Sequence, residues 1–255
     1  MSDNSPNQSH PNKEQPFISH LIELRTRLLH GLLCVLLVFI VLTFFAGDLY
    51  TLAAKPLLDH LTPGSSMIAT EVAATFIAPI KLALYLAIFI SMPYLLYQCW
   101  AFVAPGLYLN ERRFALPLLF TSIVLFYAGT AFAFYVIFPL MFGFFISIAP
   151  EGVTVMTDIS RYLDFIMKIF FAFGLAFEVP IVTILLTYSG ITTVETLKQN
   201  RPYIIVGAFV VGMLLTPPDV MSQILLALPI WFLFELGLLL SVRYNRLLKK
   251  NTDED

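Results

Sequence analysis

The sequence predicts an all-α, polytopic membrane protein with six transmembrane helices. Of its 255 residues, 58% are hydrophobic and only 13% are charged, whereas a soluble domain carries about a quarter charged residues. The apolar residues are gathered into long blocks, and a helix needs roughly 20 mainly apolar residues to cross a bilayer. The 24 phenylalanines also suit an exterior that faces lipid. These observations exclude a soluble globular fold.

The six predicted spans cover about residues 24–45, 75–100, 114–138, 164–188, 202–215 and 220–242. The fifth is short, since about 14 residues rising 1.5 Å each reach roughly 21 Å, less than the roughly 30 Å hydrocarbon core. It ends at Thr216-Pro217-Pro218-Asp219, where proline stops a helix and Asp219 is placed to cap the next one. We therefore predict a short hairpin of helices five and six, which thins the bilayer locally or lies behind its neighbours.

Positive charges predict the orientation. Eleven of the fifteen Lys and Arg residues fall on the side of the termini, and positive charge favours the cytoplasmic side of a membrane. Both termini are therefore expected in the cytoplasm. The four residues on the opposite side are Lys55, Lys81, Arg161 and Lys168. Residues 1–16 are polar and are predicted to be disordered, residues 17–243 to form the six-helix transmembrane domain, and residues 244–255 to form a cytoplasmic tail. The two outer loops, about 46–74 and 143–163, are long enough to hold surface helices.

Six prolines lie within or at the ends of the predicted spans, and each removes a backbone hydrogen bond and bends its helix. They are Pro79, Pro93, Pro117, Pro139, Pro180 and Pro229. Together they predict a curved, glove-like bundle kinked at prolines. The alternative is that each is simply tolerated in a membrane helix.

No motif in the sequence points to catalysis or to a bound cofactor. There is no G-x-x-x-x-G-K-[ST] phosphate loop, no H-E-x-x-H pair and no G-x-S-x-G elbow, and no basic patch of the kind that binds nucleic acid. Cys34 and Cys99 lack metal-ligand spacing, so packing is expected, with a disulfide left open. We expect neither an enzyme nor a cofactor or metal site.

Acidic residues at unusual positions are the candidates for function. Glu23 and Glu111 precede or begin the predicted helices one and three at the cytoplasmic face, where a carboxylate also complements the helix dipole. Glu23 is spaced to pair with Arg27, yet two separated carboxylates also suit a pair of guanidinium groups. Glu178 lies well inside helix four, where a charge costs about 3 kcal/mol; it either serves a function or is a neutral carboxyl bonded to a neighbouring helix. Glu235 is a weaker case of the same kind.

Six stretches resemble the TatC family, in the order in which they occur there. They are His20-Leu-Ile-Glu-Leu-Arg-Thr-Arg-Leu28, Tyr97-Gln-Cys-Trp-Ala-Phe-Val-Ala-Pro-Gly-Leu-Tyr108, Glu111-Arg-Arg113, Phe173-Gly-Leu-Ala-Phe-Glu-Val-Pro180, Arg201-Pro-Tyr203 and Leu215-Thr-Pro-Pro-Asp219. The resemblance implies a receptor in the bacterial inner membrane for twin-arginine signal peptides of folded cargo proteins, which cross with the proton-motive force. It also implies TatA- and TatB-type single-span partners and a complex with several copies of the chain.

The resemblance further implies a binding site for the signal peptide. Glu23 and Glu111 would bind the twin arginines, and Gln98 and Phe102 would line the same patch. Family members often carry polar or basic residues where this chain has Leu109-Asn110. Less basic charge nearby would make Glu111 a better cation site, and it leaves the affinity for the wider signal region open.

Other roles implied by the resemblance lie away from the signal-peptide site. Pro56, on the first outer loop, would help to hold the receptor's shape. Glu178 would face the concave side of the glove-like molecule. Docking of the single-span partners would involve Met213, Thr216 and Gln223.

Two other functions stay open on the residues alone. A proton-coupled small-molecule secondary transporter would use Glu178 and Glu235 to carry protons across the midplane. No internal repeat is visible, which counts against transporter folds built from inverted halves. A purely structural subunit of a membrane complex would bind no ligand at Glu23 and Glu111.

Overall fold

The computed structural model describes residues 14–60, 70, 73–103, 112–148, 158–216 and 219–252, and the regular elements in these ranges are all helices. In chain order they are α1 (Glu14–Thr43), α2 (Ala46–His60), α3 (Ala74–Val103), α4 (Arg112–Phe132), a π-helical turn (Ala133–Ile137), α5 (Phe138–Ile148), α6 (Ile159–Ala176), α7 (Val179–Tyr188), α8 (Val194–Gln199), α9 (Arg201–Leu215) and α10 (Val220–Thr252). The predicted all-α membrane class is confirmed.

Five helical stretches in the described part of the chain are long and apolar enough to cross a membrane. They are His20–Thr43, Ala74–Phe102, Leu116–Phe145, Ile159–Tyr188 and Val220–Arg243. The sixth predicted span is α9, which is apolar but has only 15 residues and so reaches about 22 Å. It packs against α10, as the predicted hairpin requires. The crossing of the bilayer by α9 and the cytoplasmic placement of the termini stay predictions.

Two helices begin earlier than the hydrophobic pattern indicates. α1 begins at Glu14, inside the segment that was expected to be disordered. α6 begins at Ile159 because the Asp158 carboxylate accepts a hydrogen bond from the Arg161 backbone N–H at 2.9 Å and so caps the helix. Since α5 also extends to Ile148, the second outer loop is shorter than predicted.

Ion pairs and caps hold the ends of other helices. The Lys81 ammonium on α3 lies 3.0 Å from an Asp164 carboxylate oxygen on α6. This ion pair joins two of the long apolar helices. The backbone N–H of Ser222 donates to the Asp219 carboxylate at 2.7 Å, so the predicted cap of α10 is confirmed. The first outer loop contains α2, the surface helix for which its length left room.

The predicted bends at prolines differ in how far the structure shows them. The chain leaves the helix between α6 and α7, and Pro180 lies at the start of α7, so this span is formed by two helices. Pro139 lies just after the π-helical turn. The helix continues through the other four prolines, Pro79, Pro93, Pro117 and Pro229.

The centre of the bundle is a close crossing of α4 and α6. A Cβ atom added to Gly129 on α4 would contact the Phe173 carbonyl oxygen, and one added to Gly174 on α6 would lie 2.5 Å from the ring of Phe126. Phe126 is fully buried. Helices in lipid gain little from apolar burial against one another, so small residues that admit close packing are typical of such interfaces.

By contrast, α1 lies at the edge of the bundle. Its main neighbour is α3, where a Cβ on Gly31 would lie 3.0 Å from Leu95. Only 6% of the residues in its most apolar window are buried. Its other faces are therefore free for lipid or for another chain, while its first turns remain attached to the end of α3.

Candidate functional site

A polar patch lies where the first turns of α1 meet the last turns of α3. It consists of His20, Glu23 and Arg27 from α1 and of Gln98 and Phe102 from α3, and we refer to it as the α1–α3 patch. The two helices pack side by side, which brings together residues that are more than 70 positions apart in the chain. Three of the predicted site residues, Glu23, Gln98 and Phe102, therefore share one site.

The carboxylate of Glu23 holds a guanidinium group from its own helix. Arg27 donates from Nη2 and from Nε to the same oxygen, Oε1, at 2.6 and 2.9 Å. Its third nitrogen, Nη1, lies 3.5 Å from the amide oxygen of Gln98. The side chains of Glu23 and Arg27 are 33% and 25% exposed, so the pair is accessible from solvent. The predicted pairing at i,i+4 is confirmed.

The second carboxylate oxygen of Glu23 is less engaged. Oε2 lies 4.0 Å from Nδ1 of His20, beyond hydrogen-bonding distance. The ring of His20 instead stacks on Phe102, with 4.2 Å between centroids and 21° between the planes. No spacing rule in the sequence points to this stack, because its members lie on different helices.

The patch combines three groups that bind guanidinium cations. A carboxylate forms charge-assisted hydrogen bonds, an amide oxygen accepts a further N–H, and an aromatic face stacks on the planar cation. The bound Arg27 demonstrates the first two in the molecule itself. Glu111 lies outside the described residues, immediately before α4 begins at Arg112.

A second polar cluster joins three helices inside the bundle. The Trp100 indole N–H on α3 donates to the hydroxyl of Ser122 on α4 at 3.1 Å, and Ser122 lies near the Glu178 carboxyl group at the break between α6 and α7. The Oε1 oxygen of Glu178 is buried without a hydrogen-bond partner among the described residues. The carboxyl group therefore lies beside a polar neighbour on another helix and keeps a free acceptor. The sequence analysis assigned no role to Trp100, which lies within a stretch that resembles the family, or to Ser122.

The residues predicted to dock single-span partners lie in the α9–α10 hairpin. Met213 is 52% exposed on α9. Thr216 is buried and its hydroxyl donates to the Gly212 carbonyl at 2.8 Å. Gln223 packs closely on Gly212, since a Cβ there would lie 3.5 Å from its Cα. Met213 offers an exposed side chain, while Thr216 and Gln223 contribute to the packing of the hairpin. The side chain of Pro56 lies outside the described residues.

Two further contacts stabilise parts of the bundle away from the patch. The Thr70 hydroxyl and backbone N–H donate to Asp158 at 2.6 and 2.9 Å. These bonds, together with the bond from the Arg161 backbone N–H, lower the pKa of Asp158 to about 2. Arg201 at the start of α9 pairs with Glu235 of α10 at 2.6 Å, so Glu235 is engaged in an ion pair.

The structure offers no metal site within its described ranges, where no three His, Cys, Asp or Glu side chains are grouped to hold an ion. Cys34 and Cys99 are both free thiols, which answers the question of a disulfide that the sequence left open.

Comparison with known proteins gives a consistent result. The family model described as Sec-independent protein translocase protein (TatC) matches residues 19–229. The chain is similar to the Sec-independent protein translocase protein TatC of Haemophilus influenzae, with 56% identity over 96% of this chain and 98% of that protein. It is 55% identical to that of Escherichia coli over 90% of this chain and 89% of the relative.

A solved structure shares the fold. The crystal structure of a twin-arginine translocase receptor, TatC, superposes with a TM-score of 0.79 and 35% identity. The match covers 87% of this chain and 97% of that one, so the similarity extends over nearly the whole molecule.

Proposed function

The chain belongs to the TatC family of Sec-independent protein translocase proteins, and we propose that it acts as the receptor core of a twin-arginine translocase. It is a multi-pass membrane protein and a component of protein transport rather than an enzyme. The observation that carries the proposal is the α1–α3 patch, where a partly exposed carboxylate, an amide oxygen and an aromatic ring lie together and already hold a guanidinium group.

The signal peptide presents two guanidinium groups, and we assign one carboxylate to each. Glu23 binds one arginine, and the Gln98 amide oxygen accepts a further N–H from it. Phe102 provides an apolar face beside them. Glu111 binds the second arginine. Phe102 lies near the end of α3 and Glu111 directly precedes α4. Both residues therefore belong to the same junction between two spans and lie on the same side of the membrane.

The position of this site agrees with the orientation that the positive charges predict. α1 begins on the side where α3 ends, so a cytoplasmic N-terminus places the patch in the cytoplasm, where signal peptides are presented. In this arrangement residues 17–243 form the transmembrane domain in the bacterial inner membrane, and residues 244–255 form a cytoplasmic tail. The resemblance to the family implies that the proton-motive force drives the export of folded cargo.

Single-span partners of the TatA and TatB type, and further copies of the chain, fit the exposed apolar faces of the bundle. Only 6% of the residues in the most apolar window of α1 are buried, and Met213 is exposed on α9. The unpaired oxygen of Glu178 supplies a polar group at bilayer depth, and Pro56 supports the outer loop. Membership of the family favours this role over the proton-coupled transporter, whose second carrier, Glu235, is held by Arg201.

Binding of a peptide with two consecutive arginines to the detergent-solubilised chain tests the proposal. A hydrogen bond to a charged group contributes about 1.5–3 kcal/mol, so Glu23→Gln and Glu111→Gln should each weaken binding by roughly tenfold to a hundredfold. Glu195→Gln removes an exposed carboxylate from the first turn of α8 and should have no effect. A twin-lysine peptide should bind more weakly than the twin-arginine one.

The opposite pattern would end the receptor assignment. If the native chain bound the twin-arginine and twin-lysine peptides equally, or bound neither even with its partners present, the patch would not be a site for arginine. Equal losses in Glu23→Gln and Glu195→Gln would show that overall charge, and not the patch, attracts the peptide.

A further inference from the structure

We propose that the α1–α3 patch of the unbound receptor is occupied by its own arginine, so that a signal peptide binds by taking over bonds that Arg27 makes at rest. The inference rests on the proposed function, because it treats Glu23 as the site of a peptide guanidinium. It adds a new role, since Arg27 becomes an internal competitor that limits how tightly the peptide is held.

Arg27 carries the same chemical group as the ligand and engages the same acceptors. Two of its N–H donors end on Oε1 of Glu23, at 2.6 and 2.9 Å, and a third points to the amide oxygen of Gln98 at 3.5 Å. A peptide guanidinium that uses these atoms must displace those of Arg27, because each acceptor has few free lone pairs. Two of the proposed ligand-binding side chains are therefore engaged before any peptide arrives.

The third binding group is covered as well. The ring of His20 stacks on Phe102 at 4.2 Å between centroids, so one aromatic face is closed to other partners. Both covering residues, His20 and Arg27, come from the first turns of α1. The Oε2 oxygen of Glu23 is left for first contact with a peptide, since Arg27 bonds only Oε1 and His20 Nδ1 lies 4.0 Å from Oε2.

The competitor is held weakly enough to leave. Arg27 is 25% exposed and its partner lies one turn away on the same helix, and exposed pairs of this spacing are individually weak. If the paired form outnumbers the open form by about twofold to tenfold, the apparent affinity for any ligand of the open form falls by about that factor. The factor is the same for arginine and lysine peptides, because it depends on the receptor alone.

The test is peptide binding to the full-length chain in detergent, with three variants compared with the native protein. Arg27→Gln removes the competitor and should tighten the twin-arginine and twin-lysine peptides by the same factor, about twofold to tenfold. Arg27→Lys keeps the charge but loses the fork of donors, and should give a smaller gain. Arg25→Gln is the control, because it removes a positive charge two positions before Arg27. The Arg25 side chain is exposed and forms no ion pair with any other described residue, so this variant should give the smallest change.

Each other outcome overturns the inference. Weaker binding in Arg27→Gln would show that Arg27 positions Glu23 for the peptide and does not compete with it. Equal gains in Arg27→Gln and Arg25→Gln, with none in Arg27→Lys, would show general charge repulsion. A native chain that binds neither peptide would refute the proposed function itself, whereas native binding without the gain at Arg27 refutes only this step. Circular dichroism of each variant confirms that the helices are retained.

Discussion

Replacing Gly129 by alanine tests whether the crossing of α4 and α6 determines the stability of the bundle. The added Cβ would lie 2.8 Å from Cγ of Phe177 and closer still to the backbone carbonyl oxygen of Phe173. Carbon atoms in ordinary contact are about 3.5–4.0 Å apart. The backbone cannot rotate out of the way as a flexible side chain can, so α4 and α6 must separate by roughly 1 Å at their closest point.

The expected cost follows from two opposing effects. Forcing an extra carbon into a packed core costs about 1–3 kcal/mol, and alanine is favoured over glycine in a helix by about 0.5–1 kcal/mol. Gly143→Ala is the matched control, because Gly143 lies on the continuation of the same helix and no described atom lies within 4 Å of its Cβ position. The difference between the two variants isolates the overpacking cost, since the preference for alanine is common to both.

The free energy of unfolding can be measured by titrating SDS into mixed micelles and following the helical signal. Gly129→Ala should be about 1–3 kcal/mol less stable than Gly143→Ala. Gly174→Ala, which would place a Cβ 2.5 Å from Phe126, should behave like Gly129→Ala. If all three variants were equally stable, the crossing would have room for a methyl group, and the packing argument would be wrong.

Three further predictions concern polar contacts elsewhere in the bundle. The hydrogen bonds from Thr70 lower the pKa of Asp158 from 3.8 to about 2, so they stabilise the fold above about pH 4, and this stabilisation is lost as the pH falls towards 2. The difference in free energy of unfolding between the native chain and Asp158→Asn should therefore shrink over that range. A difference that stays constant with pH would contradict this prediction. Reversing one member of the Arg201–Glu235 pair should cost about 1–3 kcal/mol in unfolding titrations, and reversing both should recover part of this loss; strictly additive losses would show that the pair contributes nothing. Trp100→Phe removes the indole donor to Ser122 and should cost about 0.5–1.5 kcal/mol, whereas Trp231→Phe, at a partly exposed site, should cost less.

Much of the fold could be predicted because lipid imposes long apolar helices. The five long spans and the short α9 each fall on a block of hydrophobic residues. Two features could not be found in this way. The early start of α6 depends on the side-chain cap of Asp158, which a hydrophobic pattern does not register. The π-helical turn lies within an apolar run, where hydrophobicity does not register the change of hydrogen bonding, and Pro139 just after it predicts a bend without predicting its type.

The candidate site was predictable only in part. The pairing of Glu23 with Arg27 follows from helical spacing, and the placement of Gln98 beside them followed from the family resemblance. The stack of His20 on Phe102 and the hydrogen bond from Trp100 to Ser122 depend on contacts between different helices. Such contacts are set by the packing of the whole bundle, so no local pattern announces them.

The π-helical turn also restricts which changes of length this chain can accept. In it the Phe138 backbone N–H bonds to the Ala133 carbonyl, five residues back, so the turn contains one residue more than an α-helix needs. Deleting one residue inside the turn would restore regular bonding and keep the following helix in nearly the same orientation, whereas deleting one residue in the regular helix before the turn would rotate everything that follows by about 100° around the helix axis. Ile137 and Met141, which are 2% and 0% exposed, would then leave the core. A single deletion is therefore tolerated better inside the π-helical turn than in the regular helix before it.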